Sequence, residues 1–213
     1  MSTHSVISPA IHYWGTPVVL ITTLNEDGTP NIAPMSSAWW LGNRCMLGLA
    51  QMSQTTANLL RTKQCVLNLA SEDQVAVVNA LARTTGTTVI PDFKVALGYR
   101  YTKDKFAAAG LTPQKSELIA PPRIQECPVQ MEGELEGVHE MMSDLPGEAK
   151  GFIMACEALR LPEYANRIDP DAWKPMIMSF QHMYGLKSGR LAESKLAHIE
   201  EELYRLPAEE LRS

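Results

Sequence analysis

The sequence lacks the features that mark membrane, secreted and nucleic-acid-binding proteins. No apolar run in its 213 residues is long enough to span a bilayer. Its polar first residues are not followed by the apolar segment of a secretory signal. The formal net charge is -5, whereas proteins that bind nucleic acid or anionic membranes usually present a basic face. We therefore expect a cytoplasmic protein that binds neither nucleic acid nor a membrane.

Cysteine is scarce and scattered. The four cysteines, Cys45, Cys65, Cys127 and Cys156, form no C-x-x-C pair and have no histidine at ligand spacing. The five histidines form no metal motif either. We predict that the protein has no metal site and that the cysteines are reduced, small residues of the core.

The common catalytic motifs are also absent. The sequence contains no G-x-G-x-x-G or Walker-type phosphate loop, no G-x-S-x-G and no H-E-x-x-H. A hydrolase or a metalloenzyme therefore has no positive support. The negative net charge does not argue against a phosphorylated small molecule, because one local anion site needs few positive charges.

The composition, 45% hydrophobic and 20% charged, is that of a globular protein. We predict a single domain over residues 1–213, with a core of about residues 10–165 and a C-terminal extension of about residues 166–213. The first half indicates strands and turns. Val18–Leu24 is a largely buried strand, Asn25–Pro30 is a turn with an Asp-Gly hairpin signal, and Asn31–Trp40 is the return strand. With a third strand at Cys45–Leu49, these elements predict an antiparallel meander.

Helical patterns follow. A polar start at Ser53 before Ala57–Arg61 is typical of a helix N-terminus. The remaining predicted elements are a strand at Cys65–Leu69, a helix at Asp73–Arg83, an irregular excursion over residues 84–122 with a short helix at Lys103–Ala109, strands at Pro128–Val138 and Gly151–Leu159 with a loop or short helix at Glu140–Lys150 between them, and an amphipathic helix at Leu191–Leu206.

The segment Ala33–Ala38 has an unusual pattern for a strand. Pro34 and the successive serines Ser36 and Ser37 interrupt the alternation of apolar and polar residues, and proline favours a sheet edge or a bulge. An edge leaves backbone N–H and C=O groups free to pair with a planar heterocycle. The alternative is an ordinary edge strand with solvated serines.

The segment Gln51–Asn58 places several hydroxyl groups at a helix start. Free N–H groups and the helix dipole at such a start attract a phosphate, and Arg61 in the same helix can add charge. The alternative is a plain capping sequence. Together, a heterocycle edge and a phosphate-binding turn separated by one strand indicate a mononucleotide site better than either segment alone.

These residues resemble a known family. Trp14–Thr23 and Asn25–Ser37 resemble the flavin reductase-like proteins of the FMN-binding split-barrel superfamily. Ser53–Leu60 and Cys65–Leu69 lie where that family has its phosphate-binding turn and the next barrel strand. The resemblance implies a mainly β fold with α additions, a six-stranded, Greek-key-like split barrel with a helical C-terminal extension. It also implies a homodimer with FMN near the subunit interface.

The resemblance places the flavin ring along Asn31–Trp39 and its phosphate at the helix start. The implied ring contacts are Asn31, Ala33, Pro34, Met35, Ser36, Ser37, Ala38 and Trp39, and the implied phosphate contacts are Ser53, Gln54, Thr55, Thr56 and Asn58. Many relatives carry a Lys or Arg in the phosphate turn, whereas this sequence has Gln54 and Thr55 there. The compensating charge then comes from Arg61 or from the partner subunit.

The function that the resemblance implies is an NAD(P)H-dependent flavin reductase. NADH or NADPH would stack on the exposed face of the flavin, lined by His182 and Tyr184, although a structural role for His182 is equally open. One alternative is a non-enzymatic flavoprotein that carries electrons from a partner protein. Another is a vestigial site that no longer binds FMN.

Overall fold

The computed structural model describes residues 14–144, 151–160, 173–179 and 182–185, and nearly half of them lie in β-strands. The strands are β1 (Trp14–Pro17), β2 (Val19–Leu24), β3 (Pro30–Met35), β4 (Ala38–Leu41), β5 (Arg44–Ala50), β6 (Gln64–Leu69), β7 (Thr84–Thr85), β8 (Arg100–Tyr101), β9 (Pro113–Gln114), β10 (Arg123–Ile124), β11 (Val129–Met141), β12 (Gly151–Arg160), β13 (Met176–Ser179) and β14 (His182–Gly185). The helices are α1 (Gln54–Thr62), α2 (Val75–Leu81), α3 (Asp92–Ala96) and α4 (Lys105–Ala109), and a 3-10 turn at Glu72–Gln74 precedes α2. The predicted class, mainly β with α additions, is confirmed.

Seven antiparallel strands form the main sheet, in the order β3-β2-β6-β11-β12-β5-β4. β3 and β4 lie at its two edges, yet only Ser36 and Ser37 separate them along the chain. Three Cα–Cα steps span at most about 11 Å. The sheet must therefore curl until its edges approach each other, which gives a half-barrel.

The predicted hairpins form, but the predicted continuous meander is wrong. Gly28 takes a positive φ of 79° in the turn between β2 and β3, and Asn25 N–H donates to the Thr29 carbonyl at 2.9 Å. β4 and β5 form a second hairpin at the opposite edge of the sheet. The predicted single strand Asn31–Trp40 is divided at Ser36 and Ser37, because β4 pairs with β5 and not with β3.

β2 is buried on both faces, as its continuous apolar run predicts. Val19 and Ile21 face a barrel core that also contains Leu67 and Met154. Leu20 faces a second cluster on the other side of the sheet, the outer core, made with Ile32, Val78, Leu81 and Phe106. The outer core packs α2 and α4 against β3.

The four cysteines are free and buried, as predicted. Cys45 and Cys156 face each other across β5 and β12 in the barrel core, with Cys65 beside them. Burial raises the pKa of Cys45 and of Cys127 to about 12, and a hydrogen bond with Cys156, together with burial, raises that of Cys65. High pKa values keep the thiols of Cys45, Cys65 and Cys127 protonated and unreactive, as packing residues should be.

The described part of the chain contains no metal-binding cluster and no membrane-spanning helix. Within those residues no group of His, Cys, Asp and Glu side chains has an arrangement able to hold a metal ion. No helix in the same ranges is long and apolar enough to cross a membrane.

The helix predicted at Asp73–Arg83 is shorter than expected, since a 3-10 turn occupies Glu72–Gln74 and α2 ends at Leu81. β11 continues to Met141, so the loop or helix expected from Glu140 begins later. The C-terminal hairpin, β13 and β14, adds to β1 in a separate three-stranded sheet. The helix predicted at Leu191–Leu206 lies outside the described residues, and the single-domain assignment stays a prediction.

Truncation of a barrel-core residue should destabilise the protein strongly. Leu67 is 1% exposed in β6 at the centre of the sheet, so Leu67→Ala should lower the free energy of unfolding by about 2–5 kcal/mol. Leu97 is 58% exposed, and Leu97→Ala should change it by less than about 0.5 kcal/mol. Urea unfolding followed by circular dichroism measures both, and equal losses would contradict the assigned core.

Candidate functional site

One cavity joins the two segments that the sequence singles out. Its volume is about 470 Å³, within the range of small-molecule sites. β3 and the residue after it contribute Asn31, Ala33, Pro34, Met35 and Ser36, and the start of α1 contributes Ser53, Gln54 and Thr55. The predicted ring wall and the predicted phosphate turn therefore line the same space.

The edge position of β3 explains why this strand lines a cavity. β3 pairs with β2 on one side only, so backbone groups on its other side need different partners. One of them, the Ile32 carbonyl, accepts a hydrogen bond from Lys105 Nζ at 2.9 Å. Pro34 has no N–H to satisfy. The edge is thus partly closed by α4 and otherwise faces the cavity.

The start of α1 is organised to receive an anion. Ser53 caps the helix, because its hydroxyl accepts the Thr56 N–H at 3.0 Å. The N–H groups of Gln54 and Thr55 have no acceptor within the helix, as in any first turn. Gln54 and Thr55 line the cavity, at the end of the helix where the dipole is positive. The first turn carries no acidic residue that would oppose an anion.

A buried acceptor without a partner lies between the two segments. Asn31 is 1% exposed, and its amide N–H donates to Thr55 Oγ1 at 3.2 Å. Asn31 Oδ1 has no hydrogen-bond partner among the described residues. A Cβ added to Gly86 would lie 2.6 Å from this oxygen and 2.9 Å from Gln54 Cγ. An unpaired buried acceptor costs about 1–3 kcal/mol, so a ligand donor at this point would be favourable.

The described residues that line the cavity include three cations and no carboxylate. The cations are Arg83, Lys94 and Lys105. Lys105 is only 3% exposed, and burial, helped by the charge of Lys94, lowers the pKa of its amine to about 8. Because a buried ammonium is costly unless it is paired, the cavity is suited to a ligand that carries negative charge.

Sequence reasoning missed these cations, because residues 84–122 showed no regular pattern. Arg83 follows α2 with a positive φ of 57°, and residues 83–86 line the cavity. Lys94 on α3 lies 5.8 Å from the ring centroid of Tyr99, which also lines it. The only local signal was the N-cap Asp104, which accepts the Ala107 N–H and predicts α4 just before Lys105.

Three residues of the predicted ring wall lie outside the cavity lining. The Ser37 carbonyl accepts the Gly48 N–H at 2.7 Å, and Ala38 is buried in the barrel core. Trp39 is 56% exposed on β4. These residues mark the passage of the chain from one sheet edge to the other.

Two residues predicted to bind the phosphate are bonded within the protein instead of lining the cavity. The Thr56 hydroxyl donates to the Ala50 carbonyl at 2.8 Å. Asn58 donates to Thr23 Oγ1 at 3.0 Å and to Asn25 Oδ1 at 2.9 Å. Their bonds hold α1 against the end of β5 and against β2 and its turn.

The other predicted residues lie further away. Arg61 is in the last turn of α1, where its guanidinium donates to the Leu24 carbonyl, and it does not line the cavity. His182 and Tyr184 are exposed on β14 and are not among the lining residues. Their neighbour Met178, on β13, does line the cavity. The role of His182 and Tyr184 beside a nicotinamide stays a prediction.

A family model and a bacterial relative both match most of this chain. The family model described as "Flavin reductase like domain" matches residues 11–186. The protein YdfE of Bacillus subtilis (strain 168), itself uncharacterised, is 41% identical over 189 residues, which cover 84% of this chain and 88% of that protein.

Two solved structures illustrate the fold. Nitrilotriacetate monooxygenase component B from Bacillus cereus has a TM-score of 0.70 at 19% identity, covering 90% of this chain and all of that chain (100%). Flavoredoxin of Desulfovibrio vulgaris (Miyazaki F) has a TM-score of 0.69 at 21% identity, covering 92% and 99%. The predicted split-barrel fold is confirmed, but its main sheet has seven strands and not the six that the resemblance implies.

The buried charge of Lys105 should make stability depend on pH. The pKa of its amine is about 8 in the folded protein, against an ordinary 10.5, so between these values only the unfolded chain holds the proton. Stability contributed by this group therefore rises with pH over that window, by at most roughly 3 kcal/mol. At pH 7, Lys105→Met should be more stable than the wild type by about 1–3 kcal/mol, after the loss of one hydrogen bond. That advantage should shrink towards pH 10.

Urea unfolding at pH 7, 8, 9 and 10 measures this difference. Lys103→Met is the matched control, since Lys103 is an exposed lysine two residues earlier, and its difference from the wild type should stay small and constant. A Lys105→Met protein that is less stable at every pH would contradict the assignment.

Proposed function

The chain belongs to the flavin reductase-like family, and we propose that it is an FMN-binding oxidoreductase that reduces flavin with NADH or NADPH. The observation that carries this proposal is the cavity itself. It brings the open edge of β3, the start of α1 and three cations together in one space, with no carboxylate among its described lining residues.

The residues present fit FMN. The flavin ring and the ribityl chain offer N–H and O–H donors, and the buried Asn31 Oδ1 is an acceptor without a partner in the described residues. The phosphate suits the N–H groups of Gln54 and Thr55 at the start of α1. Gly86 has no Cβ, and one added there would crowd Asn31 and Gln54. A close approach of the backbone to a ligand is a common reason for glycine at such a position.

The protein would contribute binding, orientation and exclusion of water. When bound, FMN supplies the electron-transfer chemistry. Backbone groups around Met35 and Ser36 would orient the edge of the ring. Val18, Leu81 and Met178 form an apolar part of the lining, which keeps water away and strengthens polar contacts in the cavity. His182 and Tyr184 remain our candidates for the face that receives the nicotinamide.

A homodimer is part of the proposal. Trp14, Trp39 and Leu41, here called the edge patch, are 67%, 56% and 75% exposed. β1 packs against β4, so these three side chains belong to neighbouring strands. Clusters of exposed apolar residues mark interaction sites, and an open edge strand such as β4 is usually covered. Trp39 of the patch is three residues after Ser36, which lines the cavity, so a partner seated on the patch would lie near the proposed flavin.

Reductase activity should depend on Gly86. The purified protein with FMN should oxidise NADH or NADPH faster than free FMN does, measured at 340 nm. Gly86→Ala should weaken FMN binding about tenfold or more, because the new Cβ would meet Asn31 and Gln54 below 3.0 Å. Gly137→Ala is the matched control, since its nearest neighbours would be 3.9 Å away. Oxidation no faster than the free-flavin background would overturn the reductase proposal.

The likeness to flavoredoxin keeps one other function open, that of an electron carrier. Reduction of the bound flavin without oxygen separates the two functions. Rapid bleaching by NADH or NADPH supports the reductase, whereas bleaching only by a reduced partner protein supports the carrier. A colourless protein that cannot be loaded with FMN would overturn both.

The edge patch should control the oligomeric state. Light scattering should give the mass of a dimer for the wild type and of a monomer for Trp39→Lys, because a buried, unpaired ammonium opposes association. Val89→Lys is the control, since Val89 is 81% exposed on a different part of the surface, between β7 and α3. A wild-type monomer, or a dimer that survives Trp39→Lys, would contradict the assigned interface.

A further inference from the structure

The short helix α3 buries none of its side chains. It has five residues, Asp92–Ala96, and no buried residue among them. Val89, Phe93 and Val95, here called the α3 patch, are 81%, 44% and 55% exposed. Helices shorter than about 12 residues are marginal in water and depend on the packing of an apolar face. A cluster of exposed apolar side chains on such a helix marks a surface that another segment covers.

The segment that contains α3 also forms part of the cavity wall. It leaves and rejoins the protein where β7 pairs with β8, and there the Arg100 N–H donates to the Arg83 carbonyl at 2.9 Å. Tyr99 lines the cavity, whereas the residues of the α3 patch do not. The segment therefore has one side on the cavity and an apolar side that is exposed.

The charge around the α3 patch is opposite in sign to that of the whole chain. Residues 83–105 contain five basic residues and two acidic ones, a net charge of +3, whereas the chain carries -5. Arg100 and Lys103 follow α3 and are exposed. Two copies of this surface would repel each other, so its charge favours an acidic partner.

One segment of this chain has the complementary properties. Residues 191–211, here called the acidic segment, contain six glutamates and two basic residues, a net charge of -4 with His198 neutral. The sequence predicts an amphipathic helix at Leu191–Leu206. The apolar residues that fall roughly on one face of it are Leu191, Leu196, Ile199 and Leu203. The acidic segment lies outside the described residues, so these properties are those of its sequence.

The acidic segment is long enough to reach the α3 patch. Gly185, the last described residue, lies against Glu72 in the 3-10 turn before α2. α2 has seven residues, which measure about 10 Å, and it leads to Arg83 at the base of the α3 segment. Residues 186–190 span up to about 17 Å when extended, and a helix over residues 191–206 would add about 24 Å.

We propose that the acidic segment binds the α3 patch of its own chain, with its apolar face on the patch and its glutamates towards Arg100 and Lys103. This contact covers α3 from the outside and holds the part of the cavity wall that carries Tyr99. It does not depend on which flavin or electron donor the cavity binds.

Hydrogen exchange of the α3 backbone in the full-length protein tests this contact. The Val95 N–H donates to the Pro91 carbonyl at 3.0 Å and the Leu97 N–H to the Phe93 carbonyl at 3.1 Å, so both amides report the opening of α3. Replacing the three consecutive glutamates of the acidic segment with lysine (E200K, E201K and E202K) should make both amides exchange about five- to tenfold faster, because attraction becomes repulsion.

A charge swap shows whether the two surfaces meet. Adding Arg100→Glu and Lys103→Glu to the lysine variant should restore slow exchange, because the two signs are then exchanged. The matched control adds Lys63→Glu and Lys115→Glu, which are exposed elsewhere and should restore nothing. If the lysine variant exchanges like the wild type, or if the control pair restores slow exchange equally well, the inference is overturned.

The monomeric protein separates binding within one chain from binding between two chains. Monomer is obtained by dilution or by Trp39→Lys and is verified by light scattering. Exchange at Val95 and Leu97 should stay as slow as in the dimer, because the acidic segment remains on its own chain. Faster exchange in the monomer would place the acidic segment on the partner copy and would overturn the inference.

Discussion

Two serines impose the constraint on which the structure depends. Ser36 and Ser37 connect strands at opposite edges of a seven-stranded sheet, so the sheet has to curl until those edges meet. The curl encloses the barrel core on one face and leaves the edge of β3 beside the start of α1 and α4. The strand before this connection, β3, lines the cavity, and the strand after it, β4, carries Trp39 and Leu41 of the edge patch.

Buried polar groups in this protein fall into two classes, and the difference indicates function. Asn68 is fully used, since it donates to the Leu20 carbonyl at 2.9 Å and accepts the Ile124 N–H at 2.9 Å. Lys105 and Asn31 are not. One is a charge without a counter-ion among the described lining residues, and the other has an unpaired oxygen. Both residues line the same cavity. The free energy cost of burying them without partners therefore falls at a place where a ligand with a negative charge and donor groups would reduce it.

Local patterns could be predicted from the sequence, and long-range pairings could not. The apolar run of β2 and the cap at Ser53 depend on neighbouring residues, and both predictions are confirmed. The predicted meander was based on the tendency of strands adjacent in sequence to pair. It was wrong because the chain crosses to the other edge of the sheet at Ser36 and Ser37, and nothing in that segment indicated the crossing. Arg83 and Lys105 are brought to the α1 turn only by tertiary packing, which no spacing in an irregular segment reveals.

The polar residues of the α1 turn contribute in two different ways. Gln54 and Thr55 line the cavity, while Thr56 and Asn58 fix the helix start to Ala50, Thr23 and Asn25. The second group fixes the direction in which the free N–H groups point. The start of α1 is therefore held by bonds made outside the cavity, which leaves Gln54 and Thr55 to line it.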